Sequence, residues 1–494
     1  MIRYCISYFF IYFLWLVRRV LSWRGQTYLL LFAPQMQTLL ARIADIRAFA
    51  VFYKAKRRCP AYRDFLVQEN YDEKRKWSFA NVPIMTKENY VKKYSLEDRC
   101  YGGKIPAPGT VIDESSGSSG VPNNWVRNEY ERDDVKRILQ LNYEIIYNDD
   151  DCILLNCFAL GPWATGMNVS MSLVDVGILK SIGPDAKKLE NTLTLFGPKY
   201  RYLIFGYPPF LKSWLDTTTL DLSSYKMNAV VGGEGMSEGL RGFLLKYFNT
   251  VVSSYGASDL EINIGVETEL TIALRRLCFE NRGLSEKLFG RETPPMLFQY
   301  NAADYVIETS PDGELLFSIL RLDGAAPKIR YNLKDLGGVY SYKKLNTSLK
   351  ENDIAVDDLA KRHGAFPILF IHGRGGLSVP FYGAKVFPTD IEEIINAHPA
   401  LLGRINSLQI KTIEDAELKR SLLIHLEKVK TEKDDLPSAD ELQNIVFSEL
   451  CRVNQDFREV TRMFDKSCVE VMLHEFETDV FASRDIRIKN KYIG

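Results

Sequence analysis

The sequence predicts an α/β fold: a large domain with parallel-rich sheets and helices packed against them. Three observations predict it. Short apolar runs recur along the chain, and each ends in glycine, proline or a polar cluster. Helical patterns lie between these runs. The composition, 46% hydrophobic and 26% charged over 494 residues, suits a folded chain with a large core and two or three domains. Short strands alternating with helices indicate parallel sheet, where ligands gather at the carboxyl ends of the strands.

The chain opens on an aromatic, apolar stretch from Tyr4 to Val17, closed by Arg18 and Arg19. As a helix it spans roughly 21 Å, short of a hydrocarbon core of about 30 Å. No small-residue cleavage site follows, so secretion is not expected. Residues 1–22 suit a helix lying in a membrane interface; a helix packed on the body of the protein or on a partner is the alternative. Helical patterning resumes from Ala41 to Tyr53, and Pro60 and Pro83 should end or redirect the chain.

The stretch from Val111 to Pro122, with Ser-Ser-Gly-Ser-Ser-Gly-Val-Pro over residues 115–122, is the one around which the rest is organised. Glycines let amides turn inward, and small hydroxyls add donors, so the loop can wrap phosphate oxygens. No Gly-Lys-Ser/Thr follows, so it is not a Walker A loop, and a plain flexible turn is the alternative. A helix is expected from Glu129 to Tyr147, with apolar positions at Val135, Ile138, Leu139, Leu141 and Ile145. Ile153–Asn156, Leu203–Gly206, Ala229–Gly233 and Val251–Gly256 read as buried strands.

Basic and acidic residues both number 63, and this balance gives no basic excess for a nucleic-acid partner. Eight cysteines are scattered without Cys-x-x-Cys, and the five histidines show no ligand spacing. Free thiols in a reducing, cytoplasmic setting are expected, without structural zinc.

Several segments, in order, resemble the adenylate-forming (acyl-CoA synthetase) superfamily, and most of all its phenylacetate–coenzyme A ligase branch. They are the Ser115–Pro122 loop, Gly232-Gly233-Glu234, Tyr255-Gly256-Ala257-Ser258-Asp259 and Tyr331–Gly337 with Asp335. His372-Gly373-Arg374-Gly375-Gly376 and Val386–Glu392 complete the set. The similarity runs over roughly residues 40–494. It implies an extension over 1–40, an adenylating domain over 41–373 and a mobile α+β lid over 374–494.

The resemblance also implies the chemistry: ATP- and Mg²⁺-dependent activation of a carboxylic acid to an acyl-adenylate, then thioester formation with coenzyme A. That is an AMP-forming acid–thiol ligase. Transfer to a carrier protein or another acceptor is one alternative, and a catalytically inactive scaffold is another. Ser115, Ser116, Gly117, Ser118, Ser119 and Gly120 would hold the β- and γ-phosphates. Tyr255 would stack on adenine, with Gly233, Glu234, Ser254, Gly256, Ala257 and Arg374 around the nucleotide. Ser258 would touch the α-phosphate, Asp335 would accept both ribose hydroxyls, and Asp259 would hold magnesium. A lysine near the end would assist adenylation: Lys489, with Lys491 as its competitor.

The sequence departs from the family pattern at Val121, where lysine is common, and at Asp259, where glutamate is. At Gly375-Gly376 a charged hinge residue is common. Trp163 and Tyr207 hint at an apolar acyl group, although Trp163 suits a core position equally well.

Overall fold

A computed structural model describes residues 25–482, apart from 31–32, 73, 75–76, 116–122, 148–150, 234, 237, 291–293, 353, 355–363, 375–378, 387–389, 392–393, 396–397, 403, 416 and 430–435. Two compact units divide between Gly375 and Gly376.

The larger unit is built on one mixed sheet of eleven strands. A separate two-stranded ladder, β1 (Val111–Ser115) and β2 (Asn123–Arg127), brackets the Ser/Gly loop. The main sheet takes β3 (Cys152–Asn156), β4 (Ile178–Ser181), β5 (Arg201–Gly206), β6 (Lys226–Gly232), β7 (Thr250–Ala257), β8 (Glu261–Val266) and β9 (Met296–Tyr300). It is completed by β10 (Tyr305–Thr309), β11 (Glu314–Ile319), β12 (Tyr331–Tyr340) and β13 (Ile368–Arg374). One half, ordered β4-β3-β5-β6-β7, is wholly parallel. Of these, β3, β5, β6 and β7 are the strands whose short apolar runs stood out in the sequence, and β3 is buried along its whole length.

From β8 onward every pairing is antiparallel, in the order β7-β8-β9-β13-β12-β11-β10. The expected parallel-rich sheet is therefore a half-parallel one. The antiparallel half closes over a core of Tyr62, Phe65, Tyr90, Phe317 and Tyr331. Burying a side chain of this size contributes about 1.5–3 kcal/mol.

Local signals account for the helices that flank the site. Asn128 caps the helix Glu129–Ile146 by accepting from the Glu131 amide, and the Glu131 carboxylate returns the bond to the Asn128 amide. Pro60 stands at the first position of the helix Pro60–Gln68, where its missing N–H costs nothing, and Cys59 breaks the chain from the helix Gln37–Arg58. The described part of the 1–40 extension packs on this unit: Tyr28 is buried, and its hydroxyl accepts from Asn301 Nδ2 at 2.8 Å.

The smaller unit is α+β. Its hairpin, β14 (Val379–Phe381) and β15 (Ala384–Val386), turns through Tyr382 and Gly383, both with positive φ. A three-stranded sheet holds β16 (Ile405–Glu414) antiparallel to β17 (Arg420–Lys428), and β17 parallel to β18 (Val469–His474). The helix Ala439–Val453 makes the parallel crossover, opened by a capping box between Ser438 and Glu441 and buried through Leu442, Val446 and Leu450. Among the described residues no helix is long and apolar enough to cross a membrane.

Candidate functional site

The carboxyl ends of β5, β6 and β7 lie side by side, and close backbone approach there demands glycine. Gly233 follows β6 with φ of 83°, and a Cβ on it would stand 2.7 Å from the Tyr207 ring. A Cβ on Gly256 would come within 2.7 Å of the Asn263 amide nitrogen and the Ile262 Cα, both backbone atoms.

Next to these glycines, Tyr255 Oη donates to Asp335 Oδ2 at 2.7 Å across eighty residues of sequence. The Tyr255 ring stacks on Phe317, centroids 5.9 Å apart and planes 29° apart, and leans on Phe298 at 5.6 Å. Asp335 stands opposite Arg374 in the β12–β13 register. Lys334 takes φ of 68°, and its amide donates to Asn332 Oδ1, so β12 is locally turned just before the carboxylate. Sheet pairing thus brings Tyr255, Asp335 and the backbone of Arg374 together from three separate motifs.

The turn after β7 is held differently. Arg127, at the end of β2, donates from Nη2 to the Ser258 carbonyl at 2.6 Å and pairs through Nε with Asp113 of β1 at 3.3 Å. The two ends of the Ser/Gly loop are therefore tied to the Ser258 turn through a buried ion pair. Asp259 is buried. Its Oδ2 faces Lys87 Nζ at 3.1 Å and accepts from Tyr331 Oη at 3.0 Å. A magnesium ion that rides on substrate phosphates needs as little as one protein carboxylate. Asp259 fits that role only if Lys87 gives up this oxygen.

Asp113, Arg127, Lys87 and Tyr331 were given no role from the sequence, although Tyr331 opens one of the motifs, because each acts through a partner remote along the chain. Behind them, burial pushes the Lys328 ammonium down to about 8, helped by Arg127 and opposed by Glu131. Burial pushes Glu131 upward, but Lys328, Arg127 and the Ala325 amide outweigh it and hold the carboxyl below its usual range.

An apolar cavity of about 770 Å³, counting its open mouth, begins at Gly232, Gly233 and Gly256. It runs between the parallel strands and the helices Glu129–Ile146 and Ala164–Leu173, past Leu139, Tyr143, Val169 and Phe205. Of the two aromatic residues that hinted at an acyl group, Tyr207 packs edge-on against Phe158 of the cavity wall at 5.1 Å. Trp163 instead forms a bridge with Glu114, just before the second of those helices.

Among the expected site residues, Gly233, Ser254 and Gly256 line the cavity. Ala257 ends β7 and packs on the large core. Ser115 ends β1. Residues 116–120, Glu234, Lys489 and Lys491 lie outside the described residues. Among the described residues no three His, Cys, Asp or Glu side chains gather as a metal site, and seven cysteines are free.

No family model matches the chain, and no curated protein matches it either. Solved structures do. A 2-hydroxyisobutyryl-CoA ligase in complex with 2-HIB-AMP and CoA, in the thioesterification state, superposes with a TM-score of 0.63 at 13% identity, covering 92% of this chain and 88% of that one. The same ligase in the postadenylation state with 2-HIB-AMP gives a TM-score of 0.51 at 12% identity, over 93% of this chain and 90% of that one. This chain therefore has the fold of the adenylate-forming enzymes, a large mixed α/β unit followed by a smaller C-terminal one.

Proposed function

We propose that this chain is an AMP-forming acid–thiol ligase: it joins a carboxylic acid to the α-phosphate of ATP, releases pyrophosphate and passes the acyl group to coenzyme A. One observation carries the reading. A neutral apolar cavity opens at the same strand ends where the Tyr255–Asp335 pair stands. An apolar acyl group and a nucleoside would meet there, holding the reactants at high effective concentration. The similar ligase was seen with an acyl-AMP and with CoA, in keeping with both half-reactions.

In this reading Asp335 takes the ribose hydroxyls, oriented by Tyr255, whose ring lies along the adenine. Gly233, Glu234, Ser254, Gly256, Ala257 and Arg374 surround the nucleotide. Ser258 meets the α-phosphate. Ser115, Ser116, Gly117, Ser118, Ser119 and Gly120 hold the leaving pyrophosphate, with their loop anchored by Arg127. Asp259 is the carboxylate available to phosphate-borne magnesium, and no step is assigned to the ion. Lys489 supplies an ammonium to the charge that develops on adenylation. The motifs are most like those of the phenylacetate–coenzyme A ligase branch, and the acid itself is what the assay below identifies.

The test is ATP–pyrophosphate exchange over a library of carboxylic acids, with AMP release followed with and without coenzyme A. Exchange with at least one acid, and AMP release that depends on coenzyme A, are expected. Absence of exchange with every acid would leave an inactive adenylate fold.

A further inference from the structure

We infer that Tyr147 sets how long an acid the cavity takes, and that the acid is a neutral aliphatic one of about ten carbons whose tail ends on the Tyr147 ring. The inference rests on the acyl-adenylate reading above and names its substrate. One wall of the cavity is the face of the parallel sheet. Phe205, Val230 and Val252 stand in one row across β5, β6 and β7, and Gly232 with Ser254 in the next row toward the carboxyl ends. Strand alternation puts both rows on the same face. The opposite wall is helical: Leu139, Tyr143 and Tyr147 recur every fourth residue, and so do Thr165, Val169 and Leu173. Each set therefore lies on one face of its helix.

The two ends of the cavity differ. At the carboxyl ends of the strands, Gly232, Gly233 and Gly256 add no side chains and leave room for the reacting group. Tyr147 stands at the other end. It follows the last residue of the helix Glu129–Ile146 and packs, partly buried, on the apolar cluster that includes Cys152, Leu173 and Leu203. Burial pushes its phenol up, opposed by Thr250 and assisted by Cys152, which are the first residues of β7 and β3. The hydroxyl is buried, so the ring and not the oxygen meets the tail.

Three walls give the same depth. Val252 and Gly256 line the cavity about 13 Å apart along β7. Leu139 and Tyr147 are about 12 Å apart along the helical rise, and so are Thr165 and Leu173. Carbon–carbon bonds of about 1.5 Å at tetrahedral angles advance about 1.25 Å per carbon, so this length holds roughly ten carbons. Phenylacetic acid would fill about half of it. None of the described lining residues is charged. A charged group on the tail would lose its hydration there without compensation, so the body of the acid is neutral.

Calorimetric binding of straight-chain acids from hexanoic to tetradecanoic, and of phenylacetic acid, tests this on the full chain. Pyrophosphate release with each acid is measured alongside. Wild-type affinity should rise about fourfold per added carbon, the worth of one buried methylene, and stop rising near decanoic acid. Tyr147→Ala should carry the rise on to dodecanoic acid or beyond. Tyr147→Phe should match wild type, because the hydroxyl does not meet the tail. Val230→Phe adds bulk in the row of Val252 and should end the rise at a shorter acid. Three results overturn the inference: an unbroken rise to tetradecanoic acid in wild type, tighter binding of phenylacetic than of decanoic acid, or an end point unmoved in Tyr147→Ala that melts normally. Should Tyr147→Ala fail to fold, an end point unmoved in Val230→Phe overturns it equally. End points that move as expected, with no pyrophosphate released from any acid, uphold the role of Tyr147 and overturn the adenylation reading instead.

Discussion

Replacing Asp335 with alanine removes a carboxylate that stands partly exposed on β12, with Tyr255 Oη 2.7 Å from its Oδ2. Two consequences separate cleanly. In the fold, one hydrogen bond is lost at a position that water reaches, which costs about 1 kcal/mol. The melting temperature should then fall by only about 1 °C for a chain of this size. In the site, charge-assisted bonds to two ribose hydroxyls are lost, together worth about 2–5 kcal/mol. That is a loss of ATP affinity between about 30-fold and a few thousandfold.

Calorimetry with ATP and with 2′-deoxy-ATP reads this directly. Wild type should prefer ATP, and Asp335→Ala should bind the two alike. Asp335→Asn keeps an acceptor for Tyr255 but loses the charge, so it should fall between them. Wild-type ATP affinity in Asp335→Ala, or an undiminished preference for the 2′-hydroxyl, would refute the nucleotide assignment.

Other expectations follow from single residues. Lys489→Ala should lower pyrophosphate exchange by roughly 10²–10³ yet spare thioester formation from supplied acyl-adenylate; the assignment moves to Lys491 if that variant alone shows the split. Full-length protein should co-sediment with membranes, while a chain starting at Gly25 should not. That start keeps Tyr28 and its bond with Asn301, and equal recovery of both chains in the supernatant would remove the membrane reading. Acid should weaken the smaller unit through His425, which is pushed down to about 4 by burial, by His474 and by Lys411, against Asp479. Because its folded value lies below the ordinary 6.5, the unfolded chain takes the proton first. Stability present above about pH 6.5 is therefore lost toward pH 4, by at most about 1.4 kcal/mol per pH unit for one proton. Melting of His425→Gln should be flatter over that range, and identical slopes would exclude the mechanism.

The sequence by itself determined what short-range chemistry dictates. The apolar run Ile153–Asn156 reads as a buried strand, and the apolar spacing from Val135 to Ile145 reads as one face of a helix, and both elements are found there. Motif order likewise announced the adenylate fold, which the superposition bears out. The antiparallel half of the sheet was not legible, because pairing partners such as β9 and β13 are far apart in sequence and no local pattern encodes which edge they join. Only the tertiary structure decided that Tyr255 holds Asp335, that Arg127 ties the β1–β2 ladder to Ser258, and that Lys87 pairs with Asp259. It alone decided that Tyr147 and the glycines stand at opposite ends of one cavity. Such contacts depend on where sheet pairing brings distant segments, and a residue's own neighbours in the chain carry no record of that.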